Sequence, residues 1–151
     1  MDRLIMFIAT GAYSGYLPKA PGTWGSILGV GLWACLHNLE LLPYAGVVAV
    51  LFIIGTACAG SAEKIVDRGD PGLVVIDEIV GQLIALAAVP FHPVAALMGF
   101  VLFRIFDIFK PFPVNWLDKH IHGGLGIMLD DVVAGIYALL ILQIFLKFVV
   151  L

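Results

Sequence analysis

The chain has 151 residues, 62% of them hydrophobic and 13% charged, with a mean hydropathy of +1.07 and a net charge of −3. Soluble domains are nearer about half apolar and about a quarter charged, so the composition argues for a polytopic membrane protein rather than a soluble domain. The negative balance and scattered Lys and Arg residues argue against a stripe that tracks nucleic-acid phosphates.

No Ser/Gly linker, charge block or repeat divides residues 1–151, which read as one domain. The opening stretch MDRLIMFIATGAYSGYLPKAPG has one Arg and no small-x-small cleavage pattern, so it is not read as a signal peptide. A first helix is expected over 25–39. It begins in a Pro-Gly-Thr turn with Thr23 as its N-cap and Ser26 at its third position, where free amides form an anion site; plain capping is the alternative. A second helix over 41–60 has the roughly 20 residues that a bilayer core of about 30 Å requires.

Residues 74–109 are apolar at both ends but interrupted by Pro90 and Pro93 in PFHP. Closely spaced prolines deny helix continuation, so the stretch reads as a helical hairpin. Each arm has about 16 residues, or roughly 24 Å, which leaves both a tilted pair and a re-entrant pair open. A last helix is expected over 132–151, with Asp130 and Asp131 at its start. The fold class is therefore all-α, a polytopic membrane bundle of about four to five membrane helices including the Pro-broken hairpin 74–109.

If these helices alternate in direction, Lys19, Lys64, Arg68, Arg104, Lys110 and Lys119 fall on one side and Lys147 on the other. The bias assigns the first side to the cytoplasm. Trp24, Trp33, Tyr44 and Trp116 lie near span ends, where amphipathic rings settle. Gly29, Gly31, Gly46, Gly55, Gly81 and Gly99 would permit close helix contact. Cys35 and Cys58, with no C-x-x-C spacing, read as small buried hydrophobes. His37 and His92 read as incidental.

The acids carry the strongest signal. Three groups abut apolar helix on the cytoplasmic side, in VVIDEIVGQ, FRIFDIFKP and IMLDDVVAG. Carboxylates at membrane depth are costly and normally pair, face a cavity or bind metal. Asp77, Glu78, Asp107, Asp130 and Asp131 outnumber the nearby cations Arg104 and Lys110, which suggests a divalent ion. Oxygen ligands without accompanying Cys favour Mg²⁺, with Mn²⁺ next. Capping of helix N-termini is the competing explanation, weakest for Asp107 near a helix C-terminus.

Arg104 and Lys110 are expected to hold a phosphate, although Arg104 at i, i+3 from Asp107 also suits a plain ion pair. In HIHGGLGIM, the amides around Gly123 and Gly124 suit a phosphate nest. His122 there suits a general acid or a loop hydrogen bond; zinc ligation with His120 is the weaker reading.

The segments PKAPGTWGS, VVIDEIVGQLIALAAVP, FVLFRIFDIFKPFPVNWLDK and IHGGLGIMLDDVVAGIYA resemble the ordered motifs of the phosphatidylglycerophosphatase A family, over about 11–138. The resemblance implies a Mg²⁺-dependent phosphatase of the bacterial inner membrane. It would remove the phosphomonoester of phosphatidylglycerophosphate in the cytoplasmic leaflet and leave phosphatidylglycerol. With this reading, Asp77, Glu78, Asp107, Asp130 and Asp131 would bind metal. The catalytic set is Asp77, Glu78, Asp107, Asp131 and His122, and Arg104, Lys110, Thr23, Ser26, Gly123 and Gly124 would bind the phosphate. Membrane lipid and a second copy of the chain are the other expected partners. Three readings compete: a phosphatase of another lipid phosphate, a cation-coupled transporter, and a membrane assembly factor. A transporter needs acids deep in the spans or on both faces, and an assembly factor needs them in exposed loops.

Overall fold

The computed structural model describes residues 1–148, and among these it contains helices and no strand. The helices are α1 (Asp2–Ala9), α2 (Pro21–Leu36), α3 (Leu41–Val66), α4 (Ile76–Ala85), α5 (Pro93–Phe109), α6 (Val114–His120) and α7 (Gly123–Leu146), with a 3-10 turn at Ser14–Tyr16. The final residues of the helix expected over 132–151 lie outside the described part.

Several boundaries differ from expectation for local reasons. Pro21 occupies the first position of α2, where a missing N–H costs nothing, and Ala20 precedes it with a φ of 48°. Thr23 is therefore the third helical residue, not the cap, and its own N–H donates to the Ala20 carbonyl at 2.9 Å. Helix α3 runs past Gly60 to Val66 and stops at Asp67, whose φ of 53° ends the α-helical path. Helix α7 starts at Gly123, so Asp130 and Asp131 lie two turns inside it and do not cap it. The hairpin is present, but unequal. Its first arm, α4, has 10 residues, roughly 15 Å, too short to cross an apolar core of about 30 Å.

Helix α4 is the hub of the molecule. It packs against α7, α2, α3 and α5, and Ile76, Ile79, Val80, Leu83 and Ala85 are all buried. The Tyr44 hydroxyl of α3 donates to the Leu83 carbonyl at 2.7 Å. Two residues expected at span ends as amphipathic anchors are instead interior: Tyr44 is buried by this bond, and Trp33 packs on Phe91 with ring centroids 5.6 Å apart. Trp24 and Trp116 are exposed. Cys58 is buried but Cys35 is exposed, contrary to expectation.

Close backbone approach is real at some of the glycines. A Cβ on Gly55 would lie 2.9 Å from the Met128 side chain, and one on Gly81 would lie 2.7 Å from the Asp131 carbonyl oxygen. Gly31 and Gly46 meet nothing within 4 Å, so they serve no such contact here. Helices α3 and α7 are long and apolar enough to cross a membrane, with mean hydropathies of 2.2 and 2.1. Helix α1 has eight residues, roughly 12 Å, which rules out a span.

Chain direction alternates through α2, α3, α4, α5 and α7. The N-terminal ends of α2, α4 and α7 therefore meet the C-terminal ends of α3 and α5 at one pole of the bundle. Contacts there include Arg104 of α5 with Ser26 of α2, and Lys110 after α5 with Asp130 of α7.

Candidate active site

Two matched sequence elements build the centre of that pole. Asp77 precedes Gly81 by four residues on α4, and Asp131 precedes Gly135 by four on α7. Residues four apart share a helix face. A Cβ on Gly135 would collide with the Gly81 carbonyl oxygen, so the two backbones touch at this pair. Because α4 and α7 run in the same direction, their carboxylates meet one turn nearer the pole. One oxygen each from Asp77, Glu78 and Asp131 lies within 4.8 Å of the others.

These acids line a cleft of about 260 Å³. Asp107 and Asp130 line it too, as do Lys110, His122 and Gly123. Glu63, Asp70 and Asp118 join them and were not expected as site residues. Glu63 was missed because the helix was expected to stop near residue 60. The signal was present, since the buried Ala59 and Ala62 continue the helical face beyond it. Asp70 and Asp118 stand on the surrounding loop and on α6.

The cations are already committed. Lys110 Nζ donates to Asp118 Oδ1 and to Asp130 Oδ2, both at 2.7 Å. Burial works against the ammonium, but these hydrogen bonds and charges outweigh it and hold the Lys110 pKa above the ordinary lysine range. Arg104 pairs with Asp107 at 2.6 Å and donates to Ser26 Oγ at 3.4 Å. Adjacent aspartates thus divide: Asp131 faces Asp77 and Glu78, while Asp130 faces Lys110.

Four expected phosphate-binding residues do not line the cleft. Arg104 and Ser26 stand behind Glu78, where Gly22 leaves space: a Cβ there would lie 2.9 Å from Arg104 Nη1. Thr23 lies one position further along α2. Gly124 is pressed onto α3, with room for no Cβ against the Thr56 carbonyl and the Gly60 amide, so its role in the structure is helix packing. Gly123, with a φ of 74°, does line the cleft, beside the exposed His122 that precedes α7. His120 lies outside, stacked on Trp116.

Four carboxylate oxygens at this centre are buried and lack a partner among the described residues: Asp77 Oδ1, Glu78 Oε2, Asp130 Oδ1 and Asp131 Oδ2. Buried charge without compensation is strongly unfavourable. Oxygen-only donors at this spacing match a hard divalent cation. Mg²⁺ ligands sit at about 2.0–2.1 Å, so the ligand atoms of one ion span no more than roughly 4.2 Å. The three oxygens, within 4.8 Å of one another, lie close to that span.

The family model of phosphatidylglycerophosphatase A matches residues 7–146. Phosphatidylglycerophosphatase A of Escherichia coli strain K12 is 41% identical over 132 residues, covering 85% of this chain and 76% of the relative. That of Haemophilus influenzae is 41% identical over 141 residues, covering 91% and 85%. A Bacteroides thetaiotaomicron protein, provisionally named a phosphatidylinositol-3-phosphatase, is 38% identical over 151 residues, covering 93% and 92%. No solved structure matches the chain.

Proposed function

The chain belongs to the phosphatidylglycerophosphatase A family, and from that premise we propose that it hydrolyses the phosphomonoester of phosphatidylglycerophosphate in a Mg²⁺-dependent reaction. It is a phosphoric monoester hydrolase, and its products are phosphatidylglycerol and inorganic phosphate. The observation that carries the reading is the convergence of Asp77, Glu78 and Asp131 within 4.8 Å, with buried carboxylate oxygens left unpaired.

Asp77, Glu78 and Asp131 would hold the metal, with Asp107 and Asp130 completing the acidic wall. A divalent ion bound there supplies charge neutralisation for the phosphomonoester and a Lewis acid for attack at phosphorus. The protein residues do the rest. Lys110, fixed between Asp118 and Asp130, presents a permanent positive charge at the cleft wall. Gly123, the first residue of α7, lines the cleft, and the amides of that helix N-terminus would stabilise negative charge on the transferring group. Arg104 orients Asp107 and, through Ser26, ties α5 to α2 beside Glu78. In the net reaction water supplies the oxygen of the new bond to phosphorus as the P–O bond to glycerol breaks. His122, which lines the cleft, would protonate the departing alkoxide.

In this reading α2, α3, the α4–α5 hairpin and α7 lie in the inner membrane of a bacterium as a multi-pass bundle of four to five membrane elements. The acidic pole faces the cytoplasm, where the headgroup enters while the acyl chains stay in the leaflet. The short α4 is then a membrane-embedded element enclosed by its neighbours rather than a span. The one-sided placement of Lys and Arg across alternating helices supports this orientation. Acids gathered at one pole, against apolar helix, disfavour both the transporter and the assembly-factor readings.

Phosphate release by the purified protein in detergent micelles tests the assignment. Release from phosphatidylglycerophosphate is expected with Mg²⁺ and not with EDTA; no release in Mg²⁺ removes the assignment. The provisional name of the Bacteroides relative favours one second reading, a phosphatase of another lipid phosphate. Phosphatidylinositol 3-phosphate and phosphatidate in the same assay decide it, and faster turnover of either would replace phosphatidylglycerophosphate as the substrate.

A further inference from the structure

We propose that the chain carries a second lipid site, apart from the acidic cleft: a groove between α3 and α7 that seats one acyl chain of a phospholipid from the non-cytoplasmic leaflet. The inference rests on the membrane reading above, not on the metal or the substrate. The groove has a volume of about 420 Å³, with Ala49, Phe52 and Ile53 of α3, Val80 and Ile84 of α4 and Val132 of α7 among its walls. No charged residue lines it, and the hydroxyl of Tyr44, which also lines it, is spent on the Leu83 carbonyl. A polar ligand finds no partner there.

Small side chains make the groove. Ala45 and Ala49 stand four residues apart on one face of α3, and both line it, as does Ala87 just past α4. Along α3 the groove runs from Leu41 to Ile53, roughly 18 Å at 1.5 Å per residue. One leaflet of an apolar core of about 30 Å has nearly that depth. The dimensions decide the occupant. The volume spread over that length gives a mean cross-section of roughly 23 Å², room for a single hydrocarbon chain. A helix, about 10–12 Å across with its side chains, needs roughly 80–110 Å². A helix of a second copy therefore does not fit.

The two ends of the groove give its direction. Toward the cytoplasm α3 closes on its neighbours: a Cβ on Gly55 would lie 2.9 Å from Met128 Cε and 3.1 Å from Ile76 Cγ1, and one on Gly60 3.1 Å from the Gly124 nitrogen. That seam separates the groove from the acidic cleft, so a lipid seated here is not one whose headgroup lies among the acids. At the other pole the groove meets a cavity of about 210 Å³, with Leu41 and Tyr44 lining both. Trp33 and His37 line that cavity too, an indole and an imidazole at the pole that the orientation places among non-cytoplasmic headgroups. The seated chain also bears on the acidic centre from below, since Val80 and Val132 lie within three residues of Asp77 and Asp131.

The test uses the purified full chain in phosphatidylcholine vesicles, with a trace of the same lipid carrying a diazirine in one acyl chain. This lipid has no phosphomonoester and is not a substrate. After irradiation, mass spectrometry locates the label. Expected is label on Val48 and Phe52, inside the groove, above that on the exposed Val50 and Ile54 outside it. Ala45→Phe and Ala49→Phe fill the hollow, and either one serves if the other fails to fold. Each should lower groove labelling by at least about 10-fold, because the many small dispersion contacts that hold the chain are lost together. Gly46→Phe, where nothing lies within 4 Å, should leave it unchanged. Label spread evenly over the exposed turns, or unchanged in a folded filling variant, overturns the inference, since the groove then meets only bulk lipid. Groove labelling that appears only when the protein is diluted in the vesicles places a second copy there and also overturns it. Recovery of the chain free of membranes overturns the membrane reading and this inference with it.

Discussion

At the scale of single residues, the site turns on how Asp130 and Asp131 divide. Neighbours on a helix point about 100° apart, so Asp131 faces Asp77 and Glu78 while Asp130 bonds Lys110. Asp131→Asn keeps the shape and removes the charge. It is expected to lower kcat/KM by at least about 100-fold, the upper range for loss of a mere outer-shell partner, without lowering the thermal midpoint, because a buried uncompensated charge is gone. Phosphate release and thermal unfolding read the two effects separately; full activity would contradict the assigned role. Lys110→Met instead strands Asp130, whose side chain is 9% exposed. A loss of about 1–3 kcal/mol is expected. Asp118→Asn, at a side chain 35% exposed, should cost under about 1 kcal/mol. Urea unfolding of both variants checks the difference. The acids themselves were legible in the sequence, because carboxylates against apolar helix are rare. Their partners were not, because a partner is chosen by how each helix is rotated about its axis.

At the scale of elements, the site depends on the contact between α4 and α7. Gly81 and Gly135 remove the two Cβ atoms that would hold the helices apart, and each stands four residues after a carboxylate that meets the other. Gly81→Leu would drive a side chain into Phe103 and the Asp131 backbone. A destabilisation of about 1–3 kcal/mol is expected, together with loss of activity as Asp77 and Asp131 separate. Gly31→Ala, where nothing lies within 4 Å, should be neutral or stabilise by about 0.5–1 kcal/mol through helix propensity. Thermal unfolding of the pair in detergent tests whether glycine is required by contact or merely tolerated. The repeated Asp-x-x-x-Gly spacing on α4 and α7 stands in the sequence but was not singled out from it, and only the packed helices identify it with this contact. Composition identified six glycines as contact candidates, but only packing separated Gly55 and Gly81 from Gly31 and Gly46. The Pro90–Pro93 break was equally legible, whereas the brevity of α4 was not: apolar sequence continues past Ala85, and the chain leaves the helix at Leu86 before either proline.

At the scale of the whole molecule, one pole collects the ends of α2, α3, α4, α5 and α7, and the proposed orientation puts that pole in the cytoplasm. In a Cys35→Ala, Cys58→Ala background, Gly69→Cys at the acidic pole should react with a membrane-impermeant maleimide only after the cells are opened. Leu39→Cys, at the other end between α2 and α3, should react in intact spheroplasts. The reverse pattern would invert the topology and place the cleft outside. The sequence by itself determined the helical class, the alternation of direction and the gathering of Asp77, Glu78, Asp107, Asp130 and Asp131 at one pole. Apolar periodicity, prolines and charge placement act locally or along the chain, so they can be read in order. Only the tertiary structure decided that Asp77, Glu78 and Asp131 converge, that Lys110 is held by Asp118 and Asp130, and that Thr23 and Gly124 stand aside. Those outcomes depend on helix rotation and on backbone approach between segments distant in sequence, which only the packed bundle fixes.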